Sequence, residues 1–374
     1  MKLCSYAVKV LLPMNLPVKK YLITILRFHG DVLLVTPIIG AIKKTFPEAQ
    51  IDLLVYKGTG DILKFDSRLQ DIIEIEPTPK INIFSKIKRE LMLWRTLKKN
   101  NYNYALFLTT QWRLTFIGRI MNDTFSAAVS DKKRGHSFWR NSFSTLFPEA
   151  GVNHIIERNL QALGALGIET IESDKKLSLT IGLGVMNSIS KLLESLVVTK
   201  RYCIIHACSR RKYKLWSQSK FADIASYLRS KGFEVILTSG PNKQEIKYVE
   251  KIQNLSPQVI NLGGRTSLIE LAALIKDSSL YIGLDSVASH IAAAVNTPSI
   301  VLFGPTNHLN WRPWSDNSEV IFRSCNEVDC EIHGMKEGKF RKCLCYISTE
   351  RVIEVIDKVL EPVFIKRDKA NGGT

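Results

Sequence analysis

The sequence predicts an α/β protein made of two doubly wound parallel sheets that face each other across a cleft. Short continuous apolar runs alternate with amphipathic, helix-like segments, which is the pattern of repeated βαβ units. The alternation stops in a polar stretch near the middle of the chain and then restarts. A length of 374 residues also suits two domains, at roughly 100–200 residues each.

The first half of the chain contains five apolar runs that read as buried strands. Pro37 lies within the first predicted helix and either kinks it or marks a late start. We expect strands at 21–26, 51–56, 71–75, 104–108 and 127–129, and helices at 32–46, 84–99 and 154–166.

The polar run at 169–176 marks the predicted domain boundary. The predicted units are an extension (1–20), an N-terminal domain (21–176), a C-terminal domain (177–350) and a final helix with a polar tail that should fray (351–374). In the C-terminal unit we expect strands at 202–206, 233–238, 259–260, 280–282 and 300–303, and helices at 217–230, 243–254, 267–276 and 286–295, with the last helix at 352–360.

The chain is strongly basic, with 52 Lys and Arg against 35 Asp and Glu and a net charge of +17. That excess favours an anionic partner, such as nucleic acid, an anionic membrane or a phosphorylated substrate. The alternative interpretation is a basic surface that is only solvated. Basic residues are spread along the chain rather than gathered in one arm. No apolar run approaches the roughly 18 residues of a membrane helix, and we expect no signal peptide.

Four of the seven cysteines cluster near the C-terminus, close to His333. A structural zinc site is one interpretation, but Cys-x-Cys and Cys-x₄-Cys are not the usual finger spacings, so free thiols in a reduced, cytosolic protein are favoured. The four are Cys325, Cys330, Cys343 and Cys345.

Two strand-turn units in the second half are typical of phosphate binding. Gly283 to His290 joins an apolar run to a small-residue helix, with Asp285 or Ser286 as the N-cap, and Gly304 follows the next strand. Backbone N–H groups are free at the start of a helix, and ligands bind α/β sheets at the carboxyl ends of the strands.

Other polar residues at strand ends have two interpretations each. Asp31, after the first strand, is either a general base or only a helix N-cap. The basic run that ends at Lys214 clamps phosphate or is a solvated loop. Glu245 reaches a ribose hydroxyl or is a surface charge, and His290 is catalytic or structural.

Several of these segments match one family in order along the chain, over about residues 21 to 360. They are Arg27-Phe28-His29-Gly30-Asp31, Lys214-Leu215-Trp216, Gly283-Leu284-Asp285-Ser286 with His290, and Phe303-Gly304-Pro305-Thr306. Together they resemble the bacterial lipopolysaccharide heptosyltransferases of glycosyltransferase family 9. Residues 154–160 and 311–314 are similar to the heptosyltransferase III branch.

The resemblance implies a GT-B fold, an ADP-heptose donor, and inversion at the anomeric carbon with no cofactor or required metal. Asp31 resembles the catalytic base, and Lys214 the lysine that contacts the donor phosphate. Cys208 departs from relatives that carry a hydroxyl there. The donor-binding positions implied are Ser209, Lys214, Glu245, Thr266, Asp285, Ser286, His290 and Gly304.

The implied acceptor is the phosphorylated inner core of lipopolysaccharide. Basic residues are expected to help dock it at the cytoplasmic face of the inner membrane, with Lys132, Lys133 and Arg134 as the acceptor-binding group beside Lys88 and Arg89. Nucleic acid is not an expected partner. The alternatives are a GT-B transferase with another nucleotide-sugar or a protein acceptor, a sugar-nucleotide epimerase, or a catalytically silent nucleotide-sugar-binding protein.

Overall fold

A computed structural model describes most of the chain. The described residues are 18–77, 82–130, 137–148, 154–199, 201–211, 214–322 and 343–371, with the backbone alone for residues 343 and 362–371. Within these ranges, no helix is both long and apolar enough to cross a membrane.

The first half forms a parallel six-stranded sheet in the order β3-β2-β1-β4-β5-β6. Its strands are β1 (Lys20–Ile25), β2 (Gln50–Tyr56), β3 (Asp71–Ile75), β4 (Tyr104–Phe107), β5 (Phe125–Ser130) and β6 (Thr145–Pro148). Its helices are α1 (His29–Leu33), α2 (Thr36–Thr45), α3 (Ile83–Asn100), α4 (Arg113–Ile120), α5 (Ser137–Arg140) and α6 (Ile155–Gly164). Ile23 of β1 lies between Leu53 and Leu106 of its neighbours, and helices cover both faces, which explains the continuous apolar run.

The second half repeats this architecture, with a parallel sheet in the order β12-β11-β10-β7-β8-β9. Its strands are β7 (Tyr202–His206), β8 (Glu234–Thr238), β9 (Ile260–Asn261), β10 (Leu280–Leu284), β11 (Ser299–Phe303) and β12 (Ser318–Phe322). Its helices are α7 (Leu183–Ser195), α8 (Gln218–Ser230), α9 (Lys243–Leu255), α10 (Leu268–Lys276), α11 (Val287–Ala294), α12 (His308–Trp311) and α13 (Thr349–Asn371). The predicted pair of doubly wound parallel sheets is confirmed.

The strand order reverses between β1 and β4 in the first sheet and between β7 and β10 in the second. Ligands bind α/β sheets in the crevice at such reversal points, outside the carboxyl ends of the strands. The segments that follow β1, β7 and β10 carry Asp31, Lys214 and Asp285. The topology therefore brings the principal predicted residues to these two edges.

Several details of the predicted elements were wrong, and six elements were not predicted, namely β6, β12, α4, α5, α7 and α12. The helix expected at 32–46 is two helices, since the chain breaks at Leu34 and Val35, and Pro37 lies in the first turn of α2, where a missing N–H costs little. The strand β10 continues to Leu284, so the turn after it is shorter than expected. The last helix, expected at 352–360, extends from Thr349 to Asn371.

The hydrophobic core is continuous between the two halves. Val32 and Leu33 of α1 belong to the same buried cluster as Ala288 and Ile291 of α11. This packing joins the helix after β1 to the helix after β10 and so fixes the two reversal points against each other.

Candidate active site

Asp31 lies in the first turn of α1 and is partly buried. Burial raises its pKa above the ordinary value, while the charges of Arg27 and Arg158 and backbone hydrogen bonds from Phe28 and Asp31 itself act in the opposite direction. The helix start and the two guanidinium groups favour the ionised form, and desolvation makes that carboxylate more basic. The group is suited to accept a proton.

The facing edge of the second sheet is organised by a partly buried ion pair. Lys214 Nζ lies 2.6 Å from Asp285 Oδ2, and the two side chains are 19% and 10% exposed. The hydroxyl of Ser209 donates to the backbone carbonyl of Asp285 at 3.1 Å. An ammonium group has three donors, so Lys214 can bind Asp285 and an anion together. The segments after β7 and β10 are thereby held together.

The start of α11 is shaped by a close approach of Tyr281 to the backbone. Tyr281 and Gly283 point to the same face of β10, and a Cβ at Gly283 would lie within 2.3 Å of the Tyr281 hydroxyl. Ser286 is the N-cap in extended conformation, but its side chain makes no cap hydrogen bond. The buried Ser286 hydroxyl lies beside the Tyr281 hydroxyl, and neither makes a well-formed hydrogen bond among the described residues. The first N–H groups of α11 are not capped by this side chain.

The helices α1 and α11 pack directly against each other at Gly30. A Cβ on Gly30 would lie 3.3 Å from His290 Cδ2 and 3.7 Å from the Val287 Cα. His290 is 5% exposed, burial lowers its pKa to about 4, and its Nδ1 has no partner within the described part of the chain. The imidazole is therefore neutral at pH 7 and acts as a packing surface for the turn that carries Asp31.

A second contact between the halves joins Phe28 to Arg210. The guanidinium carbon of Arg210 lies 3.5 Å from the centroid of the Phe28 ring, in cation–π geometry. Phe28 is the N-cap residue of α1, and Arg210 follows β7 in the basic loop. The stack lies three residues from Asp31 and links the two strand ends that carry the site.

His154 makes a third junction. Its Nδ1 accepts from the Ile156 N–H at 3.2 Å, so its Nε2 carries the proton and donates to the carbonyl of Arg312 at 2.8 Å. Its ring packs on Trp314 with 4.6 Å between centroids. Burial lowers the pKa of His154 to about 4, which keeps the ring neutral. This arrangement anchors α6, the helix of Arg158, to the second half.

The weaker donor-side assignments lie at the same edge but outside this cluster. The Glu245 carboxylate accepts from the Gly240 N–H at 2.9 Å and so closes the loop after β8. Thr266 precedes the Ser267 cap of α10, and Gly304 follows β11. Cys208 is buried and donates its S–H toward the Glu245 carbonyl at 3.6 Å.

Some predicted residues lie outside the described residues. These are Lys132, Lys133 and Arg134 of the acceptor group and Cys325 and Cys330 of the cysteine cluster. Cys345 is exposed with a free thiol. Among the described residues, no group of three or more His, Cys, Asp or Glu side chains is arranged to hold a metal ion.

Sequence reasoning did not assign Arg27, Arg158 or the Phe28–Arg210 stack to the site. Arg27 and Arg158 lie in the segments on which the resemblance rests. Their positive charges, beside the candidate base, were the signal that could have assigned them to the site. Phe28 and Arg210 are far apart in the chain, and no local pattern connects them.

Comparison with known proteins identifies relatives along most of the chain. The family model of glycosyltransferase family 9 (heptosyltransferase) matches residues 91–340. Lipopolysaccharide heptosyltransferase 3 of Escherichia coli is 37% identical over 337 residues, which covers 90% of this chain and 97% of the relative.

Solved structures share the fold. A glycosyltransferase family 9 protein from Veillonella parvula superposes with a TM-score of 0.76 at 20% identity, covering 92% of this chain and 97% of the other. E. coli heptosyltransferase WaaC with ADP-2-deoxy-2-fluoro heptose superposes with a TM-score of 0.71 at 16% identity, covering 91% and 99%. The predicted GT-B architecture is confirmed.

The buried histidines predict a loss of stability in mild acid. Burial lowers the pKa values of His154, His206 and His290 to about 4, against about 6.5 in an unfolded chain. Between these values the unfolded chain binds protons that the folded chain does not, so stability is complete above pH 6.5 and is lost as the pH falls toward 4. We expect a loss on the order of 1–3 kcal/mol for each histidine at pH 4.

Thermal unfolding followed from neutral to acidic pH measures this effect. A His206→Asn variant should lose less of its Tm over the same interval than the wild type, because one of the three groups is gone. A wild-type Tm that stays level or rises on acidification would contradict the prediction.

Proposed function

The chain belongs to glycosyltransferase family 9, the heptosyltransferases, and on that premise we propose that it transfers heptose from ADP-heptose to a heptose of the lipopolysaccharide inner core. The observation that carries the proposal is the contact of α1 with α11 at Gly30 and His290. It brings the turn that carries the partly buried Asp31 next to the start of α11, to which we assign the donor diphosphate. A donor and an acceptor hydroxyl would meet there.

The donor diphosphate is assigned to the second half. Lys214 supplies a positive charge, and the start of α11 supplies backbone N–H groups and the positive end of the helix dipole. The buried Ser286 hydroxyl is a further donor at that point. Asp285 and Ser209 hold Lys214 and the loop in position. Negative charge that develops on the leaving ADP is stabilised by groups already oriented toward it.

The acceptor hydroxyl is assigned to the side of Asp31. The hydroxyl oxygen forms the new bond to the anomeric carbon, the bond from that carbon to the diphosphate oxygen breaks, and the hydroxyl proton passes to Asp31. Attack from the face opposite the leaving group inverts the anomeric centre. Burial raises the pKa of Asp31, which improves it as an acceptor of that proton late in the reaction.

We assign charge neutralisation of the diphosphate to Lys214 and α11, with no required metal. Lys132, Lys133 and Arg134 remain our assignment for docking the phosphorylated core. Glu245, Thr266, His290 and Gly304 remain assigned to the donor side. The working location is the cytoplasmic face of the inner membrane, where a phosphorylated lipid-linked acceptor is held.

Replacing Asp31 by Asn should remove the base while keeping the shape of the side chain. General-base removal costs about 10²–10⁴ in rate, so we expect kcat to fall by about 10³ with donor affinity changed by less than about threefold. Initial rates with ADP-heptose and a core acceptor, together with calorimetric titration of donor, measure the two quantities. Asp123→Asn, at an exposed site in the same half, is the matched control. An Asp31→Asn enzyme that turns over at the wild-type rate would refute the assignment.

Replacing Lys214 by Met should weaken donor binding and slow turnover together, because the charge serves the bound and the departing diphosphate. A charge-assisted hydrogen bond contributes about 1.5–3 kcal/mol, so we expect donor affinity to fall by roughly 10- to 100-fold. Lys247→Met on the exposed face of α9 should leave both unchanged. Equal donor affinity in the Lys214→Met and Lys247→Met variants would place the phosphate clamp elsewhere.

A donor screen separates this proposal from a GT-B transferase of another specificity. ADP-heptose at about 100 times its Kd should stabilise the fold by about 2.7 kcal/mol, seen as a rise in Tm. UDP- and GDP-sugars at the same concentration should produce no comparable rise. Stabilisation by UDP- or GDP-sugars alone would overturn the donor assignment.

A further inference from the structure

The first half of α3 exposes a row of large apolar side chains. Phe84 is 80% exposed, and Ile83, Ile87, Leu91 and Met92 are also exposed. The buried contacts of this helix, Leu93 and Leu97, both lie in its second half. An ordinary surface helix buries its apolar stripe against the core. Among the described residues, none covers these exposed apolar side chains.

Four of these side chains share one side of the helix. At about 100° per residue, Ile83, Phe84, Ile87 and Leu91 fall within an arc of about 100°. We call these four residues the α3 stripe. The arc borders the side that buries Leu93 and Leu97, so the stripe is a second apolar face rather than part of the core.

Aromatic residues on α4 and α5 are exposed beside α3. Trp112 and Phe116 both lie near Phe138, with ring centroids 6.2 and 6.0 Å apart. Arg113 of α4 forms a salt bridge with Glu90 of α3, which holds the two helices together. Through this salt bridge the three rings adjoin α3, and we call the three rings and the α3 stripe together the docking face.

The docking face is positively charged. The helix α3 carries six basic residues and one acidic residue, and that one, Glu90, is paired with Arg113. On the helix surface, exposed Lys88 and Arg95 border the arc of the α3 stripe, and exposed Lys98 lies within that arc further along the helix. Arg119 adds a guanidinium group 4.2 Å from the centroid of Phe138. Basic groups therefore flank the apolar side chains of the docking face.

The docking face lies at the same end of the sheet as Asp31. The helices α3 and α4 begin beyond the carboxyl ends of β3 and β4, and Arg113 donates to the carbonyl of Glu76, just past β3. Gln111, beside Trp112, donates to the Leu26 carbonyl at 2.8 Å. Leu26 leads from β1 into the turn of Asp31. A molecule held at the docking face is therefore close to the candidate base.

We propose that the docking face binds the surface of an anionic lipid bilayer. Exposed Phe, Ile, Leu and Trp side chains enter the boundary between headgroups and acyl chains, while Lys and Arg attract lipid phosphates. A symmetric contact with a second copy would set these basic residues against each other, which disfavours that occupant. The bilayer supplies both the apolar layer and the negative charge. That this docking presents the acceptor to Asp31 rests on the proposed function.

Vesicle co-sedimentation of the full chain tests the proposal. Vesicles of phosphatidylglycerol and phosphatidylcholine in equal parts should bind the wild type at least about tenfold more tightly than pure phosphatidylcholine, because charge attracts the basic face. A Phe84→Ser, Ile87→Ser double variant should bind the anionic vesicles at least about tenfold more weakly. Leu183→Ser, which alters an exposed leucine at the start of α7, should bind like the wild type.

Two further measurements make the result decisive. The double variant changes only exposed side chains, so its Tm should match the wild type. With a water-soluble deacylated acceptor its kcat/KM should also match, whereas with acceptor embedded in vesicles its rate should fall with its binding. If the wild type binds vesicles but transfers heptose to neither acceptor, the docking face is supported and the proposed function is refuted.

Three outcomes would overturn the proposal. The first is equal vesicle binding by the wild type and the double variant. The second is equal binding of the wild type to anionic and neutral vesicles. The third is a wild-type protein that is dimeric by light scattering while the double variant is monomeric, since a second copy would then cover the docking face.

Discussion

The arrangement of the site depends on the close packing of α1 on α11 at Gly30. The α1 turn approaches α11 so closely that a Cβ there would lie 3.3 Å from the His290 ring. Because of that approach, the Asp31 carboxylate of the first half and the start of α11 in the second half border the same space, although they follow strands of different sheets. His290 supports it because its ring is buried and neutral and so needs no counter-charge.

Charge in the site is held in pairs or near helix ends. Lys214 is paired with Asp285, and Asp31 is near Arg27 and Arg158 at the start of a helix. Burial of an ammonium or a carboxylate is costly unless a partner is close, and the pairing lowers that cost before any ligand arrives. The side chains are consequently oriented in advance, which is the condition under which electrostatic groups contribute most to a transition state.

Much of the fold followed from the sequence, since buried parallel strands are continuous apolar runs, as in β1 and β7. The strand β12 was missed because its residues are only partly buried and show no such run, and α4 was missed because eight residues give a short periodic signal. Asp31, Lys214 and Asp285 could be placed at strand ends from local pattern. The pairing of Lys214 with Asp285 and the stack of Phe28 on Arg210 depend on tertiary contacts and could not be predicted from spacing.

The Phe28–Arg210 stack also bears on how quickly the enzyme can exchange its ligands. A cation–π contact at an exposed position contributes about 0.5–1 kcal/mol, a factor of about two to five in an equilibrium. A contact of that strength holds the Arg210 side chain on the α1 turn without locking it there, because thermal motion breaks such a contact readily. Arg210 can therefore leave Phe28 at little cost in free energy when a ligand enters or departs, while the buried packing of α1 on α11 keeps the two halves in place.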